Sequence, residues 1–235
     1  MSIYDIKIKS WDGSKEDVLS DYKGKVTLII NTTADCGNAP QFGIIEEIYR
    51  KYKDQGFEVL AVPTNDYCGT GITYGDYACG IKNAAESKEY AEETYDVTYN
   101  FTELVTSYPC DPVSDELNAA LYAGRTEPFP RQLEEGETPH PLYQTLCETT
   151  HTKMGGNFEK FLINKDGQIM RRYPNGTLME YSHMSDPDFC DTAENEYALL
   201  CKDIEEVLAT NASAPDHRDT QDGRDGWRVG TNNGH

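Results

Sequence analysis

The chain has 235 residues, with 21 Lys and Arg against 41 Asp and Glu, and a formal net charge of −20. This length fits one sizeable domain. The acidic surplus, with no basic stripe, disfavours nucleic acids and anionic membranes as partners. No apolar run approaches the roughly 20 residues of a membrane span. The first residues have neither the basic start nor the apolar middle of a secretion signal, so we expect a soluble, cytoplasmic protein.

The first predicted element is the segment IYDIKIKS (3–10), whose alternating apolar and polar residues indicate a strand that enters a hairpin turn at Asp12-Gly13. The apolar runs VTLII (26–30) and FEVLAV (57–62) predict two buried strands. Apolar residues at helical spacing predict a helix over 42–55, which Gly56 ends. A strand, helix, strand order of this length implies a parallel crossover, so we predict an α/β sheet as the core.

The stretch from Pro63 to about Thr150 is rich in Gly, Pro, Tyr and Asp. It predicts mostly long loops, with short helices only at 86–94 and 115–122. The segments NFEKFLI (157–163) and QIMRRY (168–173), joined by a turn over 164–167, predict an antiparallel hairpin. A final helix is predicted over 193–209.

The last segment, residues 211–235, holds almost no apolar side chains. Burial of such a segment cannot offset the entropy that ordering it would cost. We therefore predict one domain over 1–210 and a flexible polar tail over 211–235.

Seven cysteines, at positions 36, 68, 79, 110, 147, 190 and 201, are scattered at irregular spacing. An odd number in a chain without an export signal argues against a framework of structural disulfides. No Cys-x-x-Cys pair occurs, and no Cys and His cluster has the spacing of a zinc site, so we predict no metal site.

Cys36 follows the first buried strand and precedes the predicted helix. Backbone N–H groups at a helix start, and the positive end of the helix dipole, both favour a thiolate at that place. A lone cysteine is also a common small apolar residue of protein cores. Position alone therefore leaves a nucleophile and a packing residue as the two interpretations of Cys36.

Six segments of the chain carry a family pattern in order: SIYDIKIKSWDG, LSDYKGKVTLIINTTADCG, Pro40-Gln41, YRKYKDQGFEVLAVP, HPLY (140–143) and NFEKFLINKDGQIMRRY (157–173). Together they resemble the glutathione peroxidases of the thioredoxin-like superfamily. The resemblance implies a thioredoxin-like α/β fold with an N-terminal β-hairpin, a central mixed sheet flanked by helices, and long loop insertions. It also implies that Cys36 is the peroxidatic cysteine of a thiol-dependent peroxidase, which reduces hydroperoxides to alcohols or water.

Members of this family surround the reactive cysteine with a Gln, a Trp and an Asn, which hydrogen-bond the thiolate and polarise the peroxide. The Asn corresponds to Asn157, the Trp position holds Gly156, and the Gln position falls near Thr70 or Gly71. The loss of two such groups removes stabilisation of developing negative charge, and one donor can be worth about 10²–10³ in rate. Gly156 and Thr70 are therefore candidate substrate-binding positions.

The segment after the second core strand, which matches another family motif, reads Asn65-Asp66-Tyr67. One of these three residues could replace the missing donors. We predict Asn65 as a catalytic residue beside Cys36 and Asn157, and Tyr67 as a substrate-binding residue.

Reduction of the sulfenic acid on Cys36 requires a second thiol. Many relatives carry a resolving cysteine where this chain has Ala91, so the candidate resolving residues here are Cys68 and Cys79 in the adjacent loops. The other route is an external thiol, either glutathione or a thioredoxin-type protein. We expect no bound cofactor, and the sequence predicts no oligomeric state.

Two alternatives stay open because the family's Trp and Gln are lost. Cys36 could belong to a repurposed thiol enzyme that acts on an organosulfur compound, a disulfide or another electrophilic metabolite. The chain could also be a redox sensor or interaction protein with little turnover.

Overall fold

The computed structural model describes residues 2–34, 36–67, 73–74, 77–78, 81–109, 133–175, 178, 190–210 and 212–215. The helices are α1 (Gln41–Tyr52), α2 (Ala84–Tyr95), α3 (Pro141–Thr149) and α4 (Cys190–Ala209). The strands are β1 (Val26–Thr32), β2 (Phe57–Pro63), β3 (Thr73–Tyr74), β4 (Tyr77–Ala78), β5 (Asn100–Phe101), β6 (Lys160–Ile163) and β7 (Ile169–Tyr173). Short 3-10 turns cover Ile3–Asp5, Leu19–Tyr22 and Lys53–Gln55.

The central sheet has the strand order β5-β2-β1-β6-β7, and β3 and β4 form a separate two-stranded sheet. β2 is parallel to both β1 and β5, whereas β6 is antiparallel to both β1 and β7. Strand β1 is buried along its whole length, as expected for an apolar strand with both faces covered. The predicted mixed α/β sheet is confirmed.

Alternate side chains of the sheet point into two apolar layers. We call the first the α1 layer: it joins Val26, Leu28 and Ile30 of β1 to buried side chains of α1, α2 and α4. The second, the α3 layer, joins Ile29 of β1 to the N-terminal segment and α3. The side chain of Cys36 packs against the α1 layer.

The N-terminal segment forms a hairpin-like loop closed by a few backbone hydrogen bonds, and it is not assigned as a pair of strands. Ile6 and Ile8 are buried in the α3 layer, in agreement with the predicted alternation, but Ile3–Asp5 forms a 3-10 turn. The expected hairpin is held by two backbone hydrogen bonds, from Val18 to Ile8 at 2.8 Å and from Ser10 to Lys15 at 2.9 Å. The alternating apolar side chains of this segment, Ile6 and Ile8, therefore cover the α3 layer.

Most helix and strand positions agree with the sequence prediction, and the differences lie at their ends. α1 ends at Tyr52 because the chain tightens into a 3-10 turn before Gly56, whose φ of 89° ends the segment. α2 and α4 each begin a few residues before their predicted starts. The predicted hairpin of β6 and β7 is confirmed, but β6 begins at Lys160 rather than at residue 157.

Helix α3 lies in the stretch that the sequence predicts as loop. The Nδ1 atom of His140 accepts a hydrogen bond from the backbone of Leu142 at 3.2 Å, and Pro141 takes the first helical position, where no N–H is needed. Leu142, Tyr143 and Leu146 are fully buried in the α3 layer. The signal for this helix is the His-Pro pair ahead of apolar residues at helical spacing.

The predicted helix over 115–122 lies outside the described residues. So does most of the predicted tail, although residues 212–215 are described and the carbonyl of Ala212 accepts from Asn164 Nδ2 at 3.1 Å. Within the described part of the chain, no helix has the length and apolar character needed to cross a membrane.

Candidate functional site

Cys36 lies in the connection between β1 and α1. Backbone hydrogen bonds from Ala39 to Cys36 at 2.9 Å, and from Gln41 to Asn38 at 3.1 Å, form two tight turns ahead of the helix. The thiol is partly exposed and rests on the α1 layer. The predicted position between strand and helix is confirmed, but α1 begins at Gln41, so the N–H groups nearest to Cys36 are those of the turns.

The side chain of Asn31, buried near the end of β1, fixes the segment that carries Gly156 and Asn157. Its Nδ2 donates to the carbonyl of Gly156 at 3.1 Å, and its Oδ1 accepts from the amide of Glu159 at 2.8 Å. The backbone carbonyl of Asn31 accepts from the amide of Phe158 at 2.8 Å. These bonds hold residues 156–159 against the strand that leads to Cys36.

Phe158 has a φ of 70°, which is an outlier for a bulky residue. Its ring is fully buried and meets the ring of Phe42 edge-on, with the centroids 4.8 Å apart. Residues 156–158 thus form a turn with a left-handed residue where the sequence predicts the start of a strand, and β6 starts two residues later.

Two side chains of the Cys36 connection reach across to the neighbouring segments. Asn38 Nδ2 donates to the carbonyl of Asn157 at 3.0 Å, and Gln41 Nε2 donates to the carbonyl of Asn175 at 2.7 Å. The structure therefore brings Asn157 to the connection that carries Cys36. Asn157 itself is buried, with 5% of its surface exposed.

Charged side chains beneath this turn anchor it from both faces of the sheet. The fully buried Lys160, on the α1 layer side of β6, donates through Nζ to the carbonyl of Phe158 at 2.7 Å. On the other face, Arg172 Nε donates to Glu159 at 2.6 Å, and each side chain is only 3% exposed. Arg172 also donates to the carbonyl of Lys153 at 2.7 Å. The turn with Asn157 is thus fixed by buried polar contacts.

Gly156 is buried, and its surroundings differ from those of an open substrate-binding position. A Cβ atom on residue 156 would lie 2.5 Å from Nδ2 of Asn175. The face of Gly156 is thus covered by the side chain of Asn175, and its carbonyl is bound by Asn31.

The polar side chains after β2 are directed at backbone groups. Asn65 forms two hydrogen bonds with the backbone of Ile81, accepting at 3.2 Å and donating to its carbonyl. Asp66 accepts from the amide of Ser107 at 2.7 Å. The hydroxyl of Tyr67 donates to the carbonyl of Met154, and its ring lies in the α3 layer, on the face of the sheet opposite to Cys36.

These contacts are made with backbone groups of the loops, and the predicted roles of Asn65 in catalysis and of Tyr67 in substrate binding stay predictions. Asn65 joins the two ends of the loop between residues 65 and 81, and Tyr67 joins that loop to Met154. Their polar groups satisfy backbone atoms that the loop would otherwise leave without partners. Thr70, the third candidate of this region, lies outside the described residues.

Of the cysteines, the candidate resolving residues Cys68 and Cys79 lie outside the described residues. Ala91, at the family's resolving position, is fully buried in α2. Cys147 and Cys201 are buried thiols, and burial raises the pKa of Cys147 to about 12. Cys147 is therefore protonated at neutral pH, which makes it a poor nucleophile.

Sequence reasoning missed three residues that position the site: Asn31, Asn38 and Gln41. Asn31 could have been found from the sequence. It directly follows the apolar run VTLII, and a buried side-chain amide at that place requires hydrogen-bond partners. Asn38 and Gln41 had no such signal, because their acceptors lie more than a hundred residues away in the chain.

Comparison with known proteins shows one consistent family. The model of the glutathione peroxidase family matches residues 3–107. A glutathione peroxidase of Lactococcus lactis subsp. cremoris is 30% identical over 177 residues, which cover 74% of this chain and 89% of that protein. A "glutathione peroxidase-like peroxiredoxin" of Schizosaccharomyces pombe is 31% identical over 72% of this chain and 87% of that protein.

A "hydroperoxy fatty acid reductase" of Synechocystis is 29% identical over 73% of this chain and 86% of its own. Among solved structures, a crystal structure described as "Trgpx in apo form" matches with a TM-score of 0.51 at 22% identity. The match covers 92% of this chain and 99% of the other. This structural similarity confirms the thioredoxin-like fold.

Asn31→Ala should lower the free energy of unfolding by about 2–4 kcal/mol, because it leaves the buried carbonyl of Gly156 and amide of Glu159 without their side-chain partner. Urea denaturation measures this loss. Asn100→Ala is the matched control, because Asn100 is exposed and donates a single hydrogen bond, to Tyr22. A loss no larger than that of the control would contradict the role of Asn31.

Proposed function

Since the chain belongs to the glutathione peroxidase family and is a thiol-dependent peroxidase, we propose that Cys36 is its nucleophile. The observation that carries this proposal is the position of the partly exposed Cys36 thiol. Asn38 joins its connection to the carbonyl of Asn157, and Asn31 joins the preceding strand to the carbonyl of Gly156. By contrast, the thiols of Cys147 and Cys201 are buried.

In the first step, the Cys36 thiolate attacks the terminal oxygen of a hydroperoxide ROOH. The O–O bond breaks, its electron pair leaves with RO⁻, and RO⁻ takes a proton from water to give the alcohol. The sulfur is oxidised by two electrons to a sulfenic acid. Hydrogen peroxide reacts in the same way and gives water.

Two features support a thiolate at Cys36. The turns between β1 and α1 present backbone N–H groups, and the positive end of the α1 dipole lies just beyond them. The buried amine of Lys160 lies on the same face of the sheet and donates to the carbonyl of Phe158, next to Asn157. Both place N–H donors on the side of the sheet where negative charge develops.

Asn157 is proposed as a hydrogen-bond donor to the reacting atoms at Cys36. Its backbone is fixed by Asn38 and by the turn at Phe158, and its side chain is buried, so little further ordering is needed at the moment of reaction. The catalytic set of this proposal is therefore Cys36 with Asn157, while Asn65 has a positioning role in its loop.

The sulfenic acid is then reduced by an external thiol, glutathione or a thioredoxin-type protein, with no bound cofactor. One thiol condenses with the sulfenic acid to give a mixed disulfide and water, and a second thiol releases the Cys36 thiol and a disulfide product. The net charge of −20 gives no long-range electrostatic attraction for an anionic thiol such as glutathione. A thioredoxin-type protein is therefore an equal candidate for the reductant. Because this cycle needs a supply of reduced thiols, we place it in the cytoplasm.

Cys36→Ser should abolish turnover of hydrogen peroxide and cumene hydroperoxide, with glutathione or thioredoxin as reductant, because a serine hydroxyl is far less acidic than a thiol. The thermal unfolding midpoint should change little. Cys201→Ser is the matched control, and it should keep the turnover of the unmodified protein. Turnover that survives Cys36→Ser would rule out Cys36 as the nucleophile.

Asn157→Ala should lower the rate constant with peroxide by about 10- to 1,000-fold, as expected for the loss of a donor to developing charge. Stopped-flow kinetics with varied peroxide separates the rate from the Michaelis constant. A change confined to the Michaelis constant would instead make Asn157 a substrate-binding residue.

The Cys68→Ser, Cys79→Ser double variant should keep full turnover with glutathione, because we propose an external thiol as the reductant. After one equivalent of peroxide, non-reducing mass spectrometry should show a glutathione adduct on Cys36. A disulfide from Cys36 to Cys68 or Cys79, together with loss of turnover in the double variant, would show an internal resolving route.

A further inference from the structure

The carboxamide of Asn175 occupies the space that a side chain on residue 156 would need. A Cβ atom at Gly156 would lie 2.5 Å from Asn175 Nδ2 and 3.1 Å from its Cγ. Real Cβ atoms do not approach other heavy atoms so closely, so a methyl group there would have to displace the amide. Gly156 and Asn175 are therefore a matched pair, in which the glycine makes room for the asparagine.

The backbone beside Asn175 is held on two sides by buried side chains. Gln41, fully buried at the start of α1, donates to the carbonyl of Asn175 at 2.7 Å. Lys160, also fully buried, approaches the carbonyl of Pro174 at 3.4 Å and donates to that of Phe158 at 2.7 Å. Lys160 thus links the segment of Asn175 to the turn of Asn157, and Gln41 links it to the connection of Cys36.

The side chain of Asn175 is partly exposed, and it makes no hydrogen bond to any residue that the structure describes. A carboxamide on an anchored backbone can donate to a bound molecule without rearrangement of the protein. Asn175 lies against Gly156, the residue directly before Asn157, and its carbonyl is bound by Gln41 at the start of the helix that follows Cys36.

We propose that Asn175 is a further catalytic residue, whose Nδ2 donates a hydrogen bond to the leaving oxygen of the hydroperoxide. This inference rests on the proposed attack of the Cys36 thiolate on ROOH. The O–O bond breaks and its electron pair moves to RO⁻, which the Asn175 N–H stabilises without losing its own proton. The proton that completes the alcohol comes from water.

The test compares two electrophiles that react with the same thiolate. Iodoacetamide alkylates Cys36 and expels iodide, so it needs no donor at a leaving oxygen, whereas a hydroperoxide does. Second-order rate constants for both are measured at one pH on the full chain and on Asn175→Ala. We expect the constant for hydrogen peroxide to fall about 10- to 100-fold, and that for iodoacetamide to stay within about twofold.

The Gly156→Ala variant provides a second test, because its methyl group should push the amide of Asn175 away. Gly156→Ala alone should slow the peroxide reaction as Asn175→Ala does. In the Asn175→Gly background, the same substitution should add little further loss, because the amide is already absent. Additive losses in the two backgrounds would overturn the inference.

Equal losses for both electrophiles would make Asn175 a structural residue, and no loss for either would give it no role. Both results overturn the inference while the proposed function stands. A protein whose Cys36 is alkylated but is not oxidised by peroxide would overturn the proposed function itself. Asn175→Asp covers the case in which alanine disturbs the fold, since it keeps the shape, removes the donor, and should lose at least as much peroxide rate.

Discussion

Near the end of β1, the buried amide of Asn31 donates to the carbonyl of Gly156 and accepts from the backbone of Glu159. These bonds join the strand that leads to Cys36 to the turn that carries Asn157, although the two segments lie far apart in the chain. The turn includes Phe158 at a φ of 70°, a conformation that costs free energy for a bulky residue and persists only where its surroundings enforce it. Asn31 and the packing of Phe158 on Phe42 provide that enforcement. The relative position of Cys36 and Asn157 therefore depends on the contact between β1 and the turn ahead of β6.

Buried charge has a similar role on both faces of the sheet. Lys160 donates to the carbonyl of Phe158. Arg172 pairs with Glu159 and also donates to the carbonyl of Lys153. Buried ions gain little net stability, because their desolvation offsets much of their attraction. Here they fix the backbone of a short turn in one conformation. Their benefit is to the geometry of the site.

The apolar runs of β1 and β2, the helical spacing of α1 and the turn over 164–167 were predictable from the sequence, because each depends on local periodicity. The position of Cys36 between β1 and α1 was predictable from the order of strand and helix, and the interest of Asn157 came from the family resemblance. Asn65 and Tyr67 were assigned to chemistry because their residue types fit it, whereas their polar atoms satisfy Ile81 and Met154. The contact of Asn175 with Gly156 could not be predicted from the sequence. Gly156 precedes β6 and Asn175 follows β7, so the two residues meet only when these strands pair.

The central claim is that the clamped connection presents Cys36 as the thiol that hydroperoxides oxidise. The most direct measurement adds one equivalent of hydrogen peroxide to the reduced protein, quenches after short times, traps sulfenic acid with a dimedone-type reagent and maps the adduct by mass spectrometry. The account predicts that the adduct forms first on Cys36, while the buried Cys147 and Cys201 stay unmodified. Oxidation of another cysteine before Cys36 would contradict it, as would consumption of peroxide with Cys36 still reduced.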